Sequence, residues 1–232
     1  MFNDMQYSAR NQISNFMYAV YAWVAVGLSL AGGTAYAIAS SPVIFIFFMK
    51  NPLLLLGIIV VQFMAIMGFS AYLQRMSFPA AMILFILLTA SYGFTFSTIF
   101  AVYTAASIVT TFVVTAATFL VMATYGYVTR ADLTSVGSIA MMILFGMIIA
   151  MLVNLFVQSQ TFDIIISGVG VIIFTLLIAY DSQKIKRIGE ELLYHNEMLS
   201  KVALLGAFIL FLDFINLFLF LLRFLGVRKS GD

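Results

Sequence analysis

Seven runs of about 20 mainly apolar residues occupy most of the chain, and they restrict what it can fold into. Roughly 20 residues of helix cross the hydrocarbon core of a bilayer. In that medium only helices and closed barrels satisfy every backbone N–H and C=O. The runs cover residues 16–39, 53–73, 80–100, 103–125, 136–157, 164–180 and 202–225. They are too long and too evenly apolar for barrel strands. The expected fold is therefore an all-α integral membrane protein with seven transmembrane helices. Composition agrees: 9% of the residues are charged, against about 25% in soluble domains. The expected organisation is a cytoplasmic N-terminal segment (1–15), a seven-helix transmembrane domain (16–226) and a C-terminal tail (227–232).

Turn chemistry marks the breaks at Ser40-Ser41-Pro42, Asn51-Pro52, Ser77-Phe78-Pro79 and the polar stretch 129–135. No charge separates the third and fourth runs, which read as a tight hairpin. One connection, 182–201, is long and strongly charged, with Lys184, Lys186, Arg187, Glu190, Glu191, Glu197 and Lys201. Gly27, Gly32, Gly33, Ala105, Ala106, Ala116, Ala117, Gly168 and Gly170 read as positions where helix backbones approach closely. Tyr92, Tyr103, Tyr125, Tyr127 and Tyr180 suit an interfacial aromatic belt.

Lys and Arg counts predict the orientation. With seven spans, Arg10, Arg75, Arg130, Lys184, Lys186, Arg187 and Lys201 share one side, and Lys50, Arg223, Arg228 and Lys229 the other. Seven against four places the N-terminus and the charged connection in the cytoplasm. A re-entrant last segment would instead return the C-terminus to the cytoplasm. The mixed-charge N-terminus lacks the pattern of a cleaved signal peptide. With the absence of cysteine, this suits a bacterial plasma membrane.

Several function classes are excluded. There is no cysteine, hence no disulfide, thiolate metal site or cysteine nucleophile. There is no basic stripe for nucleic acid. His195 is the sole histidine, and a lone loop histidine is no metal site. No nucleophile–base arrangement is present, and no enzyme activity or cofactor is expected.

Ionisable groups at membrane depth are costly and usually functional. Asp213 lies in Leu210-Phe211-Leu212-Asp213-Phe214-Ile215-Asn216, about 16 Å inside the seventh span. Asp181 closes the apolar run of the sixth. The two spans are antiparallel neighbours, and the aspartates meet if the sixth helix continues past Asp181. Two carboxylates in contact in a low-dielectric site cannot both ionise cheaply, so one proton is shared. The pair becomes a pH-sensitive latch. Deprotonated, it offers oxygen ligands of the kind calcium prefers, which makes Asp181 and Asp213 candidate transient calcium ligands. Gln62, Asn216 and Arg75 are candidates for lining or supporting a pathway. Interhelical hydrogen bonding is the plainer role for Gln62, Asn154 and Asn216, and snorkelling for Arg75. Paired transmembrane aspartates also suggest an intramembrane aspartyl protease, but the residues before Asp213 are Leu210-Phe211-Leu212, not Gly-x-Gly.

Three stretches carry a family resemblance. Ala179-Tyr180-Asp181-Ser182-Gln183-Lys184-Ile185-Lys186 resembles the end-of-helix-six motif of the transmembrane Bax inhibitor motif family, in its bacterial branch. Leu212-Asp213-Phe214-Ile215-Asn216-Leu217-Phe218, with Leu222-Arg223-Phe224-Leu225-Gly226, resembles its last-helix motif. The middle is similar too, through Tyr103-Thr104, Thr115-Ala116-Ala117-Thr118-Phe119 and Thr129-Arg130-Ala131-Asp132-Leu133. The resemblance implies a last helix central to six others and a paired, pH-responsive Asp181 and Asp213. It implies calcium leak across the membrane, with Arg75 as the nearest match to an arginine that helps gate the pore. It also implies an alternative, a non-transporting regulator that binds a membrane protease or a cell-death factor.

Overall fold

The computed structural model describes residues 2–193 and 196–229; His195 lies outside them. The described residues are helical almost throughout. They form α1 (Phe2–Ala39), α2 (Pro42–Lys50), α3 (Pro52–Tyr72), α4 (Phe78–Ser97), α5 (Ile99–Val102), α6 (Ala105–Val128), α7 (Thr134–Val157), α8 (Gln160–Glu191) and α9 (Asn196–Leu225). A short 3₁₀ turn, Leu73–Arg75, follows α3. Seven stretches are long and apolar enough to span a bilayer, one each in α1, α3, α6, α7, α8 and α9 and one running through α4 and α5. The chain is an all-α integral membrane protein.

Local chemistry sets the ends. All three prolines stand in the first turn of a helix, at Pro42, Pro52 and Pro79. There the missing N–H has no helical partner to lose. The Thr104 hydroxyl caps α6 by accepting from Ser107 N at 3.3 Å. Only Tyr103 and Thr104 separate α5 from α6.

The helices run further than their apolar cores. α1 begins at Phe2, so the expected boundary at residue 15 is one of polarity and not of structure. No proline or glycine interrupts residues 2–26, and each residue added to an existing helix gains a backbone hydrogen bond. The charged connection, expected as a loop over 182–201, is mostly helix: α8 continues to Glu191 and α9 starts at Asn196. α2 was not foreseen, because nine residues are too few to register as a span.

The chain divides into two units. The first takes the chain up to Val102 together with Ile188–Phe211. In it α4 packs on α1 and α3 around Phe69, Phe85, Phe208 and Phe211, all fully buried. Lys201, 6% exposed, donates from Nζ to the Met76 carbonyl at 3.1 Å and pairs with Glu197 at 3.3 Å. The second takes Tyr103–Arg187 with the chain from Leu212 onward. In it the second half of α9 packs on α6 through Phe112, Phe119 and Phe214, and on α8 through Phe174 stacked on Phe220. α9 is the enclosed helix: 72% of its apolar window is buried, against 11% for α3 and α7. That enclosure is what a central last helix requires.

α9 is continuous, and its final turn meets the first turn of α8 through Arg223 and Asp163. The tail beyond it bonds to the start of α6, where Thr104 N donates to Val227 O at 3.1 Å.

Close backbone approach falls on glycines that differ in part from those expected. Gly27 and Gly170 do face tight neighbours, Thr89 and Phe220. Gly32 and Gly33 have no neighbour within 4 Å of a modest side chain and are not packing positions. The tightest contacts include Gly126, whose missing Cβ admits the Ala179 carbonyl, and Gly137, which receives the Tyr180 ring. Both press α8 against α6 and α7 at the two residues just before Asp181. Gly126→Leu must displace backbone, and overpacking of this kind costs about 1–3 kcal/mol. Thermal unfolding in detergent should show that loss, while Gly146→Leu, on an exposed and open face, should leave the midpoint unchanged.

Candidate functional site

Asp213 sits well inside α9, between Leu210, Phe211, Phe214 and Leu217, all buried. It is itself only 6% exposed. Asp181 lies on α8 well before that helix ends, because α8 continues beyond Tyr180. The two carboxyl groups lie close enough to interact directly between α8 and α9. Ionised carboxylates only accept hydrogen bonds, so a hydrogen bond between the two needs a proton on one of them. Asp213 Oδ2 is buried and, among the described residues, has no hydrogen-bond partner. The exposed Lys184, with Nζ 5.8 Å from the Tyr180 ring centroid, stands three residues after Asp181.

The stretch after Asp181 fixes this part of α8 to the α6–α7 connection. Gln183 Nε2 donates to Ala131 O at 2.8 Å, and its Oε1 accepts from Leu133 N at 3.0 Å. One buried amide thereby satisfies both a backbone acceptor and a backbone donor. Lys186 Nζ donates to Tyr127 O at 3.1 Å and lies 5.3 Å from the Tyr127 ring centroid. Arg187 donates to Asp132 Oδ1 and to Gln183 Oε1, at 2.8 and 3.0 Å. Asp132 also accepts from the Thr134 hydroxyl at 2.6 Å and the Thr134 N–H at 3.0 Å. Those bonds from Thr134, then the one from Arg187, hold the Asp132 carboxyl down from its ordinary 3.8 to about 2.

The clamp of Gln183, Arg187 and Asp132 was not foreseen. A glutamine inside a run of lysines and arginines reads as a solvated face, and its partners lie about 50 residues earlier in the chain. Its signal was chemical: a loop of exposed backbone at 129–133 needs donors and acceptors from somewhere.

The remaining candidates do not join the pair. Gln62 is buried and ties α3 to α4, donating to Ser91 Oγ at 3.2 Å and accepting from Thr95 Oγ1 at 3.4 Å. Asn216 shares a face with Asp213 by spacing, yet its amide donates back to Leu212 O at 2.8 Å. Arg75 is exposed at the end of the 3₁₀ turn, in the first unit, whereas both aspartates belong to the second. Asn154 is not interhelical glue: its side chain accepts from Ser159 N and closes the α7–α8 turn. Tyr92 is not in an aromatic belt, since its ring packs on Phe96 and Phe211. Among the described residues no three His, Cys, Asp or Glu side chains converge.

A family model described as "Inhibitor of apoptosis-promoting Bax1" matches residues 13–230. The chain is 41% identical over 228 residues to "Inner membrane protein YbhL" of Escherichia coli strain K12, covering 98% of this chain and 97% of that protein. A protein of Borreliella burgdorferi is 42% identical over 217 residues, 94% of each chain. One of Deinococcus radiodurans is 36% identical over 218 residues, 94% and 93% of the two chains.

Asp132 gives the clamp a pH signature. A carboxyl whose folded pKa is depressed contributes stability above its ordinary pKa and loses it as pH falls through the folded value. The stability difference between wild type and Asp132→Asn should therefore be constant above about pH 5 and be lost progressively as pH falls through about 2. Thermal melts of both proteins across that range check it. A difference independent of pH contradicts the assignment.

Proposed function

Starting from the fact that the chain belongs to the Inhibitor of apoptosis-promoting Bax1 family, we propose that it is a pH-sensitive cation leak channel, with calcium as the permeant ion and Asp181 and Asp213 as its gate. The observation that carries this reading is the contact between two carboxyl groups on different helices within a span. While a proton bridges them, the contact holds α8 to α9. When it leaves, two like charges remain in contact. Unit charges about 4 Å apart repel by about 4 kcal/mol at an effective dielectric of 20. A shift of that size is enough to reverse a two-state population by about a thousandfold. The separated carboxylates then present oxygens to a hard cation.

The clamp supports this reading by fixing the far side of α8. Gln183 and Arg187 bind α8 to the α6–α7 connection, so movement is directed to the α9 side. The seven-to-four bias of Lys and Arg supports a cytoplasmic N-terminus, α6–α7 connection and end of α8. The E. coli relative is named as an inner membrane protein, and we propose the same membrane for this chain.

The test is calcium flux into liposomes holding the purified protein, from pH 6 to 8, beside Asp181→Asn and Asp213→Asn. Wild-type flux should vary several-fold across that range, and each variant should flatten the profile. Flux equal to that of empty liposomes at every pH overturns the channel reading and leaves a regulator that acts through a partner, such as a membrane protease.

A further inference from the structure

α8 and α9 meet through charge a second time, at the opposite end of α8. α7 ends at Val157, and Gln158 turns the chain through the left-handed region at φ 52°. α8 starts two residues later, which sets Asp163 in its first turn beside Arg223 in the last turn of α9. Arg223 Nη1 donates to Asp163 Oδ1 at 3.3 Å. Each charge stands at the helix end that its macrodipole favours. Both lie near the ends of spans, at the level of lipid headgroups. The pair is partly open, with side chains 40% and 31% exposed, and it forms one wall of a cavity of about 310 Å³. Ile148, Met151, Leu152, Asn154 and Leu155 of α7 line the rest. Leu152 and Leu155 are 55% and 69% exposed, so in a bilayer they face acyl chains.

We propose that this cavity binds the headgroup of a zwitterionic phospholipid bearing a primary ammonium, that is, phosphatidylethanolamine. A guanidinium recognises phosphate through paired N–H donors, and Asp163 engages only one of the five that Arg223 carries. Asp163 in turn accepts from an ammonium. An acid and a base held side by side thus match a headgroup with both charges. A purely anionic headgroup would meet repulsion from Asp163, and a quaternary ammonium has no N–H to donate to it. The volume lies at the lower end of ligand cavities, which suits a headgroup while the acyl chains follow the apolar outer face of α7. The proposal does not depend on ion conduction.

The experiment is lipid competition. The full chain is placed in nanodiscs of phosphatidylcholine doped equally with phosphatidylethanolamine and phosphatidylglycerol, and the lipid that stays bound on transfer to the gas phase is identified by native mass spectrometry. Wild type should retain phosphatidylethanolamine several-fold above its share of the bilayer. Asp163→Asn should move the preference to phosphatidylglycerol, and Arg223→Gln should remove it. Retention in proportion to bilayer composition overturns the proposal. So does a wild-type preference for phosphatidylglycerol, which marks a plain anionic-lipid site. The wild-type arm decides by itself if either variant fails to fold.

Discussion

Two carboxyl groups meet inside the membrane, and the arrangement around them serves that contact. Each charge at membrane depth would cost several kcal/mol alone. A hydrogen bond between them, with one proton held in common, is a way for the pair to remain there. The contact demands that α8 continue as helix past Tyr180, that α9 be enclosed, and that the helices approach closely. The sequence answers each demand. Residues 171–180 lead without a breaker into Asp181, α9 is the most buried of the spans, and Gly126, Gly137 and Gly170 admit a carbonyl and two aromatic rings.

Above the pair, polar chemistry takes over from packing. Gln183 supplies both a donor and an acceptor to the backbone of the α6–α7 connection, and Arg187 bridges that amide to Asp132. Arg187 and Asp132 are largely exposed, at 46% and 67%, so their ion pair contributes little stability. The buried amide is the stronger constraint, because losing it would leave backbone groups unpaired. At the other end of α8 the Asp163–Arg223 pair fixes the helix against the last turn of α9. α8 is thus held at both ends by polar contacts, and between them by apolar packing and the acid pair.

Much of this was legible in the chain. Seven apolar runs specify seven spans because bilayer thickness sets a helix length that soluble cores do not. Asp213 stood out because no physical role in lipid is cheap for a carboxylate. What was not legible depended on partners distant in sequence. Gly126 and Gly137 look no different from Gly32 and Gly33 until the neighbouring helix is in place. Gln183 drew no structural reading because its partners lie about 50 residues earlier in the chain, and Tyr92 looked interfacial because it is a tyrosine. The extent of α8 was underestimated because hydropathy reports where a helix leaves the bilayer and not where its hydrogen bonds end.

The contact itself is open to a direct measurement, since the chain has no native cysteine. A short bifunctional thiol reagent applied to the Asp181→Cys/Asp213→Cys double variant in membranes reports whether these positions face each other. The control pairs Asp213→Cys with Ile172→Cys, whose native side chain is 63% exposed. The account predicts efficient cross-linking of α8 to α9 in the first variant and little in the second. Equal or lower yield at positions 181 and 213 would contradict it, and with it the carboxyl contact on which the proposed gate rests.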